Sequence, residues 1–175
     1  MARLSELTDP HYLEGLTEWP LDEVRARRDE ATEVETGLSY LRRIAQGRLD
    51  IVLAEQRHRA SGTPADLAEL VQELPTILGG NVHAPGLGRL PAQFGPSRLD
   101  EELEARLEAV LPPTALAGIA NLGEEELAAA AAGLSGVERA ISASRRAVFE
   151  VLDQLQEEVV RRYRTGEATV DSLLP

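Results

Sequence analysis

Two stretches of the chain carry apolar residues at alternating three- and four-residue spacing. In the first, Val24, Ala31, Val34, Leu38, Leu41, Ala45 and Val52 fall on a and d positions of a heptad, with Ile44 and Ile51 beside them and Arg27 and Arg48 interrupting d. In the second, Val137, Ile141, Val148, Val151, Leu155 and Val159 form a like seam. Start and stop signals bound both. Pro20, followed by Asp22 and Glu23, suits a helix start, and Ser61-Gly62-Thr63-Pro64 stops what began there. The predicted helix over 20–60 would span roughly 60 Å at 1.5 Å per residue, too long for a compact bundle and suited to a coiled coil. The second helix is predicted over 135–166, from the capping box Ser135-Gly136-Val137-Glu138 to Gly166 after Arg161, Arg162 and Arg164. The expected fold class is all-α: two long helices paired as an antiparallel coiled coil.

The rest is less regular. An acidic segment over 1–19 precedes the first long helix, and a tail over 167–175 follows the second. The connector, 61–134, is predicted to hold a short amphipathic helix from Thr63-Pro64-Ala65-Asp66 to about Leu74, then a Gly/Pro-rich loop over 78–98. Gly86 and Gly88 do not make a phosphate loop, because no strand precedes them. Short helices are expected at about 98–111 and 123–133, the latter through the run Ala128 to Ala132.

Composition narrows the chemistry. At 175 residues the chain suits one domain with a core of its own. It has no cysteine, so it has no disulfide, thiolate metal site or cysteine nucleophile. His11, His58 and His83 lack metal-ligand spacing. No apolar run would span a bilayer and the opening residues do not read as a signal peptide, so a cytoplasmic location is expected. A net charge of −12 disfavours nucleic acid and anionic membrane. All 18 basic residues are arginine, so an anion would be gripped by planar forks. Segment 20–60 is neutral and 135–166 is +1, whereas the connector carries −8.

Offset by 103 residues, 34–52 and 137–155 agree at 7 of 19 positions. Seam periodicity alone does not explain the polar matches: Glu35 with Glu138, Ser39 with Ser142, Arg42 with Arg145, Arg43 with Arg146, Asp50 with Asp153. Glu35, Ser39, Arg42, Gln46 and Asp50 lie at 4, 3, 4 and 4 residue steps, one helical stripe beside the seam. Glu138, Ser142, Arg145, Phe149 and Asp153 form the second stripe. Arginine can fork phosphate or the O6 and N7 edge of guanine. A carboxylate can accept from guanine N1–H and the exocyclic amine. Two stripes suit a two-fold guanine dinucleotide; the plain alternative is a solvated face of intrahelical ion pairs.

The spacing Glu-x3-Ser-x2-Arg-x3-Gln-x3-Asp, here Glu35 to Asp50, resembles the c-di-GMP signature of the RsiG family of anti-sigma factors from sporulating filamentous actinobacteria. The resemblance implies one motif on each helix of an antiparallel coiled coil. It also implies a c-di-GMP dimer as ligand, no metal, and sequestration of WhiG, a sigma factor of the flagellar type. By carry-over, Glu35, Ser39, Arg42, Gln46 and Asp50 form one half-site and Glu138, Ser142, Arg145 and Asp153 the other. Arg42 and Arg145 would contact guanine and phosphate, and Asp50 and Asp153 would read guanine. Arg43 and Arg146 would add phosphate contacts or exposed ion pairs. Phe149 stands where the family has glutamine, leaving it to stack on a base or pack against the connector, a core role being the commoner fate of an aromatic. A ligand-independent coiled-coil adaptor is the other reading. An enzyme is not expected, because no nucleophile–base pair or metal cluster accompanies the stripes.

Overall fold

The computed structural model describes residues 3–61, 96 and 99–167. Its helices are α1 (Leu4–Leu7), α2 (Leu21–Ser61), α3 (Glu101–Val110), α4 (Pro113–Ala117) and α5 (Glu124–Thr165), with 3-10 turns at Leu16–Glu18 and Ile119–Asn121. Among the described residues there is no strand. The chain divides into two compact units, and α2 and α5 each contribute to both. The expected helix from Thr63 to Leu74 and the loop over 78–98 lie outside the described residues, apart from position 96.

The first unit holds Met1–Ser39, Pro96–Asp100 and Ser142–Pro175. Here Arg25 donates to the Tyr163 hydroxyl, and Arg145 to Glu35 farther along α2. Partner numbers fall on α5 as they rise on α2, so the helices run antiparallel. Val24, Ala31 and Leu38 of α2 and Val148, Val151, Leu155 and Val159 of α5 are buried, with Leu7 of α1 also buried. Arg27, the first interruption of the seam, lies over the Trp19 ring at 4.0 Å and the Tyr12 ring at 5.3 Å, and bonds Glu23 at 2.7 Å. The aromatic rings lie against its guanidinium while the carboxylate takes its charge.

The second unit holds Tyr40–Gly95 and Glu101–Ile141. The pairing is again antiparallel, with Arg42 meeting Glu138 and Arg59 meeting the Leu122 carbonyl. Leu41, Ala45 and Val52 are buried with Leu127, Leu134, Val137 and Ile141. Leu103, Leu107 and Leu111 bury the apolar edge of α3, while Glu101, Glu102 and Glu104 face solvent. Arg48, the second interruption, is 9 % exposed. It donates to the Leu111 carbonyl at 2.7 Å and to Glu108 at 2.6 Å, so α3 and the residue that follows it supply the acceptors a core arginine needs.

The structure corrects the expected start of the second long helix at Ser135. α5 begins at Glu124, where the Gly123 N–H donates to the Glu126 carboxylate at 2.6 Å, and runs unbroken through Ser135 and Gly136. The segment expected as a separate helix over 123–133 is therefore the first part of α5. Leu134 and Val137, on either side of Ser135, are both buried. Burying two such side chains outweighs the ~1 kcal/mol that a glycine costs inside a helix. At the other end Gly166 takes φ 79°, the left-handed stop its position predicts.

The 103-residue repeat extends well beyond the stripes. It relates the turn Leu16–Glu18 to Ile119–Asn121, α2 to nearly all of α5, Glu55 to Glu158 and Arg59 to Arg162. In the first unit Arg162 donates to the carbonyls of Trp19 at 2.6 Å and Leu16 at 3.0 Å and to Glu158 at 2.6 Å. In the second, Arg59 donates to the carbonyls of Leu122 at 2.7 Å and Ile119 at 3.2 Å and to Glu55 at 2.6 Å. The late arginine of each long helix thus caps the turn that leads into the other.

Candidate functional site

Most motif residues occupy half-buried helix flanks beside the seam, because their spacing drifts little over about four turns while the apolar residues hold the adjacent face inward. They fall into two groups, one in each unit, and each group mixes residues from both helices.

In the first unit Glu35, Ser39, Ser142 and Arg145 are half-buried, whereas Phe149 and Asp153 are exposed. Arg145 donates from Nε at 3.0 Å and from Nη2 at 2.9 Å to Glu35 Oε1. Ser39 donates its hydroxyl to the same oxygen at 2.6 Å. Arg145 also lies over the Phe149 ring, 5.1 Å from its centroid. Phe149 is 41 % exposed, and its ring flanks a motif arginine.

In the second unit Arg42, Gln46, Asp50 and Glu138 are all half-buried. Arg42 Nε donates to Glu138 Oε1 at 2.9 Å, and Gln46 Nε2 donates to that same oxygen at 3.2 Å. The repeat offset turns one arrangement into the other: Arg145 on Glu35 becomes Arg42 on Glu138. The polar matches are therefore not a solvated face of ion pairs within each helix. They make two reciprocal ion pairs across the helix pair, with side chains 17 to 34 % exposed.

Asp50 and Asp153 make no hydrogen bond or ion pair with the described residues. As carboxylates they can act only as acceptors. Arg43 and Arg146 are exposed, one residue round the helix from the paired arginines. Each group thus brings together a carboxylate-held arginine, a neutral donor and an unengaged aspartate. Among the described residues no group of His, Asp or Glu could hold a metal ion, and no helix is long and apolar enough to cross a membrane.

The sequence sorts the motif residues by helix; the structure sorts them by contact, Glu35 with Arg145 and Glu138 with Arg42. Sequence reasoning missed the arginine caps at Arg59 and Arg162. Carrying the 103-residue offset outward from the stripes would have found both, with Glu55 and Glu158.

The fold and this site define an antiparallel all-α helical hairpin with a duplicated polar motif. Residues 10–78 match the family model described as RsiG-like, which supports an RsiG-type protein. That family is one of regulatory anti-sigma factors rather than enzymes, and it implies a sigma factor as partner. No curated protein matches the chain.

Proposed function

We propose that this chain is an anti-sigma factor that binds c-di-GMP, as a dimer, through the two motif copies. In its loaded form it sequesters a WhiG-type sigma factor and holds back late sporulation genes. The observation that carries the reading is the duplicated set of donors and acceptors: Arg42 and Arg145 as forks for phosphate and guanine, Asp50 and Asp153 as open acceptors for guanine N1–H and amine. Two copies of one set suit a ligand that is itself two-fold. Ligand would neutralise the arginine forks and fix the pairing of the helices that present a surface to the sigma factor. The connector, at net −8, would meet a basic sigma surface.

Calorimetric titration of the full chain with c-di-GMP tests the first half. Saturable binding is expected, absent for c-di-AMP and lost in the Arg42→Ala, Arg145→Ala double variant. The second half rests on linkage: if ligand raises affinity for the sigma factor, the sigma factor must raise affinity for ligand by the same factor. Equal sigma binding with and without c-di-GMP would refute ligand control and leave a ligand-independent adaptor.

A further inference from the structure

We infer that Glu35 and Glu138 are positioning residues, each orienting the ligand-contacting arginine of the opposite motif copy, rather than contacts to the ligand or anions it displaces. The inference rests on the c-di-GMP reading above.

Three observations carry it. First, the donors converge on one oxygen of each carboxylate: Ser39 and Arg145 on Glu35 Oε1, Arg42 and Gln46 on Glu138 Oε1. Second, the carboxylates are the more sheltered partners, with Glu35 17 % exposed against 25 % for Arg145 and Glu138 19 % against 34 % for Arg42. Third, the bonds take the inner edge of the guanidinium. Arg145 commits Nε and one Nη2 proton to Glu35, and its outer Nη1–Nη2 edge is the fork that phosphate or guanine O6/N7 would meet.

A competing carboxylate would have to leave before ligand could bind. Leaving would break two or three hydrogen bonds to one oxygen, the charge-assisted ones roughly twice as strong as neutral ones. At Arg145 staying leaves the outer edge to serve the ligand. The arginine is then held in a single plane before ligand arrives, by its glutamate on one side and, for Arg145, by the Phe149 ring on a face. Each arginine and its glutamate come from different helices, so ligand would sense helix register through these pairs.

The test measures c-di-GMP affinity of the full chain for E35Q, E138Q, R42A, R145A and their double variants, with thermal unfolding of each to set a temperature where all are folded. Glutamine keeps the size and an acceptor but loses the charge. Each single glutamine substitution is expected to weaken binding roughly three- to tenfold, the cost of ordering one long side chain. Coulomb effects alone predict the reverse, since a negative charge beside an anionic ligand has been removed. The pairing must also be specific: E35Q is expected to add nothing in R145A and to add its full effect in R42A, with the mirror result for E138Q. A general structural role would not follow this crossed pattern. Tighter binding by E35Q, or additivity with R145A, overturns the inference while leaving the c-di-GMP reading intact. Absence of wild-type binding overturns both.

Discussion

Alanine at Arg59 and at Arg162 should expose an asymmetry between two otherwise matching clamps. Arg162 is 6 % exposed and bonds Glu158 and the carbonyls of Trp19 and Leu16. Its loss strands these carbonyls and that of Thr17, at ~1–3 kcal/mol for each left without water. Glu158 keeps a partner, however, because Arg161 donates to both of its oxygens at 2.8 Å. Arg59 caps its turn in the same way, but Glu55, 5 % exposed, has no second arginine among the described residues; the repeat places His58 where Arg161 stands. Arg59→Ala therefore leaves a buried carboxylate without its cation, a change that costs about 3–5 kcal/mol. Arg162→Ala strands a matching set of carbonyls but spares the carboxylate, so it should cost less than Arg59→Ala by up to that amount. Removing Glu55 as well should restore much of the loss in Arg59→Ala, since the stranded charge goes with it. Urea unfolding of the full chain followed by far-ultraviolet circular dichroism, with a second probe to check coincidence of transitions, reads these values. Equal losses, or a larger loss at Arg162, would refute the claim that Arg161 supports Glu158. A loss below about 1 kcal/mol at both sites would refute the capping argument itself.

Hydrogen bonds from Arg161, with Arg162 beside it, hold the Glu158 carboxyl at about 2 against an ordinary 4.5. Because the folded value is the lower one, the stabilisation is present above about pH 4.5 and is lost as pH falls towards 2. Its ceiling is roughly 3 kcal/mol, which solvent around Arg161 reduces to roughly 1–2; a Glu158→Gln variant with an unchanged acid limb would contradict this. A Cβ at Gly133 would lie 2.7 Å from Val110 Cγ1, whereas one at Gly136 meets no atom within 4 Å. Gly133→Ala should therefore lose about 1–3 kcal/mol by overpacking, and Gly136→Ala should gain up to about 1 kcal/mol of helix propensity, both read from urea midpoints. Phe149→Leu should cost about 1 kcal/mol or less, the loss of a ring beside Arg145, while Val148→Ala, at 0 % exposure, should cost about 2 kcal/mol; matching losses would place Phe149 in the core after all.

Much of this molecule was legible along the chain because helical periodicity is local. The seam positions from Val24 to Val52 and from Val137 to Val159 are buried or half-buried as their spacing predicts. Pro20 and Gly166 mark helix ends through their own backbone preferences. The stripes were legible for a related reason, since a repeat of polar residues is visible without knowing what they touch. Ser135 misled because its capping signal is also local, and the burial of Leu134 and Val137 against the opposite helix overrode it. Arg48, Arg59 and Arg162 read as interruptions or as helix-end charges. Their acceptors are backbone carbonyls sixty or more residues away, which no local pattern displays. The crossed pairs of Glu35 with Arg145 and of Glu138 with Arg42 belong to the same class. Composition and spacing determined that two arginine-bearing stripes would lie beside a helical seam. Only the tertiary register of the paired helices decided which carboxylate holds which arginine, because that choice depends on distances between residues that the chain itself keeps far apart.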